Sequence, residues 1–334
     1  MSNSLITVIN LSKVFRVPIR PEGIKASVKS LLHPSYAEIN AVDQLNFCIE
    51  QGEMVGMIGP NGAGKTTTLK MMSGLLFPTS GEIRVAGYIP WERRTEYLRS
   101  ISMLLGNKSQ MLWDIPPIDS FRVLSEIYSI PKPEFRRTLD ELVDLLEMKE
   151  ILNKPVRNLS LGERMKCELT ASLLHSPALL FLDEPTLGLD VSMQLRLRRF
   201  LSEYNRRSGV TVILTSHYMA DVMALCPRVV LIHHGNLLYD GALEGLAHKL
   251  IPFKLLKITL NQETITDANM FEKMGWEDVE ILEKDANIFT LRVARHDTPA
   301  ITARILQKFV VADLSVEDPP IEAVIDQIYS GGVA

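Results

Sequence analysis

The chain has 334 residues, 46% of them hydrophobic and 23% charged, with no low-complexity tract, which excludes a disordered polypeptide and leaves length for one large domain and one small one. Its 36 basic and 40 acidic residues give a formal net charge of −4, so the strongly basic balance that marks a nucleic-acid partner is absent and none is expected. Three widely spaced cysteines, Cys48, Cys167 and Cys226, match no CxxC pair and leave no closed disulfide framework, so they are expected as buried thiols of a reducing compartment.

In chain order, residues 1–9 lack the basic start and long apolar core of a signal peptide, and no apolar run approaches about 18 residues. The chain is therefore not expected to span a membrane, and any membrane role would come through a partner. Short apolar runs at 53–58, 178–182, 210–215 and 228–232 read as strands buried on both faces, the pattern of a helix-covered parallel or mixed sheet. Between 85 and 177 the texture is mainly helical, with three- and four-residue apolar spacing at 120–130 and 135–148. Pro116-Pro117 and Pro131-Lys132-Pro133 are expected to break this region into pieces. After residue 250 the segments 253–260, 279–282 and 288–293 alternate as strands, and 299–309 reads as a helix, which makes the tail a separate small α+β unit. The expected domains are 1–247, containing a helical subdomain at about 87–177, and 248–334.

The first chemistry-bearing motif follows the first of these buried strands and opens a predicted helix running to about Gly74. Gly59-Pro60-Asn61-Gly62-Ala63-Gly64-Lys65-Thr66 fits the phosphate-loop (Walker A) pattern G-x-x-x-x-G-K-[ST]. The glycines let backbone N–H groups close round phosphates, Lys65 supplies positive charge, and Thr66 offers a hydroxyl to Mg²⁺; Thr67 continues the site into the helix. A chance glycine-rich turn is the alternative, disfavoured by the matching strand and helix. The motif alone says nucleoside triphosphate, not which machine.

The strand at 178–182 runs into Asp183-Glu184, at the strand end where ligands gather in doubly wound sheets. Asp183 is placed to organise Mg²⁺, and Glu184 to polarise an attacking water as general base. An isolated Asp-Glu pair is more often the start of a surface loop; the phosphate loop reverses that preference. The next strand ends in Thr215-Ser216-His217, and His217 is placed to hydrogen-bond a γ-phosphate or its water. His175, His233 and His234 read as structural.

Leu159-Ser160-Leu161-Gly162-Glu163-Arg164 stands before a helix and ahead of Asp183, and it resembles the LSGGQ signature of ABC ATPases. Taken alone, Ser160 and Glu163 form a capping box, which carries no function by itself. In order with the phosphate loop, Asp183-Glu184, Gly188-Leu189-Asp190 and His217, the resemblance covers about 6–246. It implies a P-loop ABC-type α/β nucleotide-binding domain that hydrolyses ATP with Mg²⁺. It also implies a pair of such domains sandwiching two ATP molecules, each bound by the phosphate loop of one and Ser160 and Gly162 of the other, with Asp190 communicating across the interface. The second domain is either an identical chain or a paralogue.

Departures from the family pattern are Leu161 in place of a glycine and Glu163 in place of a glutamine. Phe15 matches the aromatic that stacks on adenine, with a core position as the equal alternative, although a long insertion at 16–40 precedes Ala41-Val42. Within the insertion, 22–32 reads as a short helix bearing Lys25 and Lys29, a solvated surface helix more readily than a membrane contact, since two lysines contribute only about 1 kcal/mol each at an anionic surface. The glutamine that links nucleotide to membrane partner in the family aligns with Asn107, and the nearest actual glutamine is Gln110.

The insertion, the 106–114 loop, Gly188-Leu189-Asp190 and the helix opening at 164–168 look like ATPase subunits of type-two ABC exporters of the drug- or viologen-efflux kind. That resemblance implies separate transmembrane permease subunits and a peripheral place on the cytoplasmic face of the cell membrane. The tail resembles the small accessory domain of many such ATPases. An importer ATPase with a regulatory tail, or a soluble ABC ATPase acting on nucleic acid or ribosomes, are the rival readings.

Overall fold

The computed structural model describes residues 4–18, 36–105, 109–216, 218–246, 251–261, 279–321 and 323–325. The chain divides into two compact units, Met1–Leu243 and Glu244–Ala334, so the sequence-based boundary at 247/248 falls just inside the second.

The first unit is built on a six-stranded sheet, whose order is given below in the numbering β3 Met54–Ile58, β5 Ile101–Leu105, β6 Leu179–Asp183, β7 Thr211–Thr215, β8 Arg228–His233 and β9 Asn236–Ala242. The strands lie β5-β6-β7-β3-β8-β9, all parallel except the antiparallel edge pair β8–β9. Every residue of β3 and β7 is buried, as expected of strands with helices on both faces. The helices of this unit are α1 Lys65–Met72, α2 Thr95–Ser100, α3 Pro117–Ile127, α4 Lys132–Leu145, α5 Leu161–Leu173, α6 Val191–Ser208 and α7 Met219–Leu225.

A second sheet is antiparallel, in the order β2-β1-β4, with β1 Ser4–Pro18, β2 Tyr36–Glu50 and β4 Ser80–Val85. Leu45, Phe47 and Ile49 alternate inward along β2 and join a core that includes Val55 and Met57 of β3, Leu69 of α1 and Phe181 of β6. Each fully buried side chain of this size contributes about 1.5–3 kcal/mol. The same alternation turns Cys48 to solvent, which corrects the expectation of three buried thiols; Cys167 and Cys226 are buried. β1 and β2 pair as far as Pro18 and Tyr36, so both ends of the 16–40 insertion continue the ladder; the helix expected at 22–32 lies outside the described residues.

The region at 87–177 is not wholly helical, because β5 enters the main sheet beside β6. Its five residues are too short a run to reveal a strand among helical periods. The prolines divide the region as expected, and they do so from the first turns of the helices that follow. Pro117 and Pro133 lie in the first turns of α3 and α4, where a backbone N–H has no partner within the helix, so they begin helices there. Both helices then end earlier than their apolar spacing suggests. Ser129 and Glu147 take left-handed φ values of 54° and 52°, and Ile130 N–H to Ser125 O (2.8 Å) and Met148 N–H to Val143 O (3.0 Å) close Schellman turns.

In the second unit, β10 Phe253–Leu260, β11 Val279–Asp285, β12 Ile288–Ala294 and β13 Val311–Glu317 form an antiparallel sheet in the order β11-β12-β10-β13. Ile301 and Ile305 of α8, Thr298–Lys308, close over Leu256, Ile258, Leu260, Phe289, Leu291 and Val293. β13 was not legible in sequence, because V-A-D-L-S-V-E has no clean apolar alternation.

Candidate functional site

β3 leads through residues 59–64 directly into α1, so the loop lies at the carboxyl end of the sheet with the N–H groups of a helix start facing it. Gly64, the N-cap, has φ of 108°, and a Cβ there would stand 2.4 Å from the Ala41 carbonyl oxygen. Gly59 is similarly confined, 2.1 Å from the Ile232 carbonyl oxygen, whereas Gly62 sits at the open tip beside exposed Asn61. Ala63 is buried and accepts a hydrogen bond from Gly235 N–H at 3.0 Å, which ties the loop to the turn after β8. Gly64→Ala is expected to weaken nucleotide binding at least about tenfold, since left-handed backbone already costs an L-residue about 1–2 kcal/mol and the overlap adds to it. Titration with a fluorescent ATP analogue checks this.

Lys65 is buried, and its ammonium donates to Gly59 O at 2.6 Å and Pro60 O at 3.0 Å. Burial pushes its pKa below the usual lysine value, while Glu184 and then Asp183 pull it back up through their negative charge. The electrostatics thus place Lys65, Asp183 and Glu184 in one neighbourhood. Thr66 Oγ1 donates to Asp183 Oδ1 at 3.2 Å, and Thr215 Oγ1, from the end of β7, donates to the same Oδ1 at 2.5 Å. Thr67 is half-buried on the next position of α1.

Asp183 ends β6, and the chain turns at once: Glu184 has φ of 55°, and its N–H donates to Thr215 O at 3.0 Å. A non-glycine residue held in this left-handed region persists only where its surroundings enforce it, and such positions cluster at functional sites. Thr66 and Asp183 supply the hard oxygen donors that suit Mg²⁺. Among the described residues there is no group of three or more His, Cys, Asp or Glu that would hold a metal by themselves. That donor set fits an ion held by one carboxylate, one hydroxyl, phosphate oxygens and water.

Ser160 and Gly162 belong to a second cluster. Ser160 is the N-cap of α5, accepting from Glu163 N–H at 3.2 Å while Glu163 Oε2 accepts from Ser160 N–H at 2.8 Å, the reciprocal capping box expected from sequence. A Cβ on Gly162 would lie 3.1 Å from Met193 Cγ, and one on Gly188 would lie 3.2 Å from Leu161 Cδ2. Asp190 is the N-cap of α6, accepting from Met193 N–H at 2.9 Å and Ser192 hydroxyl at 2.7 Å, and these bonds, the Ser192 hydroxyl first, hold its carboxyl below the usual range. The start of α5 and the turn into α6 are thus fitted to each other.

Gln110 hydrogen-bonds toward α5: its Nε2 donates to Ser172 Oγ at 3.0 Å and Met103 O at 3.4 Å, and its backbone N–H donates to Glu168 Oε2 at 2.9 Å. Glu168, buried and also accepting from Ser109 hydroxyl, was missed in the sequence, although a charge among the buried positions 165–173 was a visible signal. Thr215 was named only as a neighbour of His217. Asn107 and His217 lie outside the described residues. Phe15 is half-buried on β1 across from Ile39, outside the buried core, with Lys13 Nζ 5.2 Å from its ring centroid.

A family model described as ABC transporter matches residues 42–187, and one described as EvrA-like ABC transporter, C-terminal domain, matches 252–317. The chain is 34% identical over 208 residues to the ABC transporter ATP-binding protein NatA of Bacillus subtilis, covering 62% of this chain and 84% of that one. It is 32% identical over 222 residues to the bacitracin transport ATP-binding protein BcrA of Bacillus licheniformis, covering 66% and 68%. A solved ATP-binding subunit of an ABC transporter superposes with a TM-score of 0.60 at 25% identity, over 74% of this chain and 93% of that one.

Proposed function

The chain belongs to the family of ABC transporter ATP-binding proteins, and from that premise we propose that it hydrolyses ATP to drive separate transmembrane subunits, in the direction of export. The observation that carries the catalytic half is the convergence of Lys65, Thr66, Asp183, Glu184 and Thr215 at adjoining strand ends and one helix start.

The phosphates of ATP lie along loop 59–64, taken up by backbone N–H groups, the N-terminus of α1 and the Lys65 ammonium. Thr66 and Asp183 would hold Mg²⁺, which neutralises phosphate charge when bound. Thr215 fixes one Asp183 oxygen and leaves the carboxylate oriented. Glu184, one residue beyond, accepts the proton of the attacking water. The family resemblance implies that Ser160, Gly162 and Asp190, which lie together in the fold, serve a nucleotide on a second domain, and that two such domains close on two ATP molecules. The second domain is an identical chain or a paralogue, and closure reaches the membrane subunits through Asn107 or Gln110. His217 acts on the γ-phosphate side, and Phe15 stacks on adenine. The two units, Met1–Leu243 and Glu244–Ala334, divide the work between catalysis and an accessory role.

The transport reading draws support from the similarity to the bacitracin transport ATP-binding protein, while the direction of export and the separate membrane subunits follow from the resemblance to type-two exporters. No helix among the described residues is long and apolar enough to cross a membrane. The test is recovery of tagged Glu184→Gln chain with ATP from gently solubilised native membranes, followed by mass spectrometry. A multi-spanning protein in stoichiometric amount is the expected companion. Ribosomes or DNA alone would replace the transport reading, and an accompanying solute-binding protein would reverse its direction.

A further inference from the structure

We infer that Asp221 is a positioning residue for hydrolysis: its single buried carboxylate locks the turn that carries Glu184 to the end of β7 and to α6. The inference rests on the reading of Glu184 as general base.

Asp221 lies in the first turn of α7 and is 0% exposed. Its two oxygens collect three side-chain donors from three other segments. Arg198 Nε, in α6, donates to Oδ1 at 2.6 Å. Ser216 hydroxyl, directly after β7, donates to Oδ2 at 2.9 Å. Thr186 hydroxyl, itself 2% exposed and two residues beyond Glu184, also donates to Oδ2. A carboxylate removed from water is strongly unfavourable unless paired and fully hydrogen-bonded, so the four groups stand or fall as a unit.

What this unit secures is the backbone beside the reacting water. Glu184 occupies a left-handed conformation, and Leu187 N–H to Glu184 O (3.2 Å) and Leu189 N–H to Thr186 O (3.1 Å) wind the following residues into consecutive turns. Gln194 Nε2 of α6 adds bonds to Leu189 O at 3.2 Å and, at the edge of bonding distance, to Thr186 O at 3.5 Å, so α6 touches the segment through backbone carbonyls as well. The near end has Glu184 N–H to Thr215 O on one side and Thr186 to Asp221 on the other. Removing the Thr186 hydroxyl bond frees the segment just beyond the base from its side-chain tie to the buried Asp221 carboxylate. A displacement of about 1 Å in such a group is enough to slow a reaction by about 10²-fold. The phosphate loop makes none of these bonds, so ATP binding stays while turnover suffers.

The experiment compares Thr186→Val, nearly the same shape without the hydroxyl, with Thr186→Ser, which restores it. Steady-state ATPase is measured with rates divided by the nucleotide-binding stoichiometry of each preparation, so that misfolded chain is not counted. Thr186→Val is expected to lower kcat per site about tenfold with KM for ATP within about twofold, and Thr186→Ser to recover most of the rate. Ser216→Ala, which adds no bulk, is expected to show the same split and serves where Thr186→Val does not fold. Wild-type kcat per site in both Thr186→Val and Ser216→Ala overturns the inference, as does a Thr186→Ser variant as slow as Thr186→Val. An inactive Glu184→Gln beside unaffected Thr186→Val removes this inference alone; a fully active Glu184→Gln removes the reading of the base on which it stands.

Discussion

Glu184→Gln is expected to bind ATP and scarcely hydrolyse it, with turnover reduced by about 10²–10⁴-fold, the range general-base catalysis contributes. The amide keeps the volume and the hydrogen-bonding reach of the carboxylate, so the left-handed turn at 184 and the bond from its N–H to Thr215 O have no reason to change. What disappears is the proton acceptor and one negative charge close to Lys65. Less negative charge beside a bound triphosphate favours retention, so affinity should be unchanged or tighter. With hydrolysis blocked, ATP-closed pairs of domains should accumulate, visible as a shift in size-exclusion elution on adding ATP. Phosphate release, nucleotide retention and elution volume together check the assignment, and near-normal turnover would contradict it.

The division between what sequence revealed and what it hid follows from the physical source of each signal. The phosphate loop was legible because its demands are local: Gly64 needs a φ no other residue takes readily, and Lys65 must follow it at the helix start. β3, β6, β7 and β8 were legible because strands buried on both faces read as unbroken apolar runs. β5 has the same chemistry but sits between helical periods, and the long β1–β2 ladder is interrupted in sequence by the insertion at its hairpin end. Pro116-Pro117 and Pro131-Lys132-Pro133 were legible as breaks, and the structure adds that Pro117 and Pro133 sit in first turns, where no backbone donor is needed. The roles of Glu168 and Asp221 were hidden for a different reason, although the charge of Glu168 on α5 was itself in view. Each is a polar residue whose donors come from segments far along the chain, Gln110 for one and Thr186 for the other, and no periodicity reports a contact of that kind. Asp183 and Glu184 were legible as residues, but the way their turn is fastened was legible only in three dimensions.

The second large effect is expected for Lys65→Ala, which should reduce ATP affinity by about 100-fold or more. Deleting a charged donor to phosphate removes an interaction worth about 1.5–3 kcal/mol in a water-excluded site, and here a structural effect adds to it. The ammonium bridges Gly59 O and Pro60 O at the start of the loop, so alanine also frees the segment whose shape presents the N–H groups. Lys65→Arg is not expected to rescue this, because a planar, bulkier guanidinium does not reproduce a buried point charge that donates to two adjacent carbonyls at 2.6 and 3.0 Å. Because burial lowers the Lys65 pKa, the cation is present at low pH and is lost as pH rises through the lowered value. ATP affinity should therefore decline on the alkaline side before an ordinary lysine would deprotonate. The thermal readout follows by linkage. ATP at about 100 times its Kd stabilises the wild-type chain by about 2.7 kcal/mol, and the same concentration should leave the melting temperature of Lys65→Ala almost unmoved. Glu184→Gln should show the full ATP-dependent shift without turnover, and Lys65→Ala neither shift nor turnover, so the pair separates capture of the triphosphate from its cleavage. An undiminished shift in Lys65→Ala would mean that residues 59–66 do not hold the phosphates.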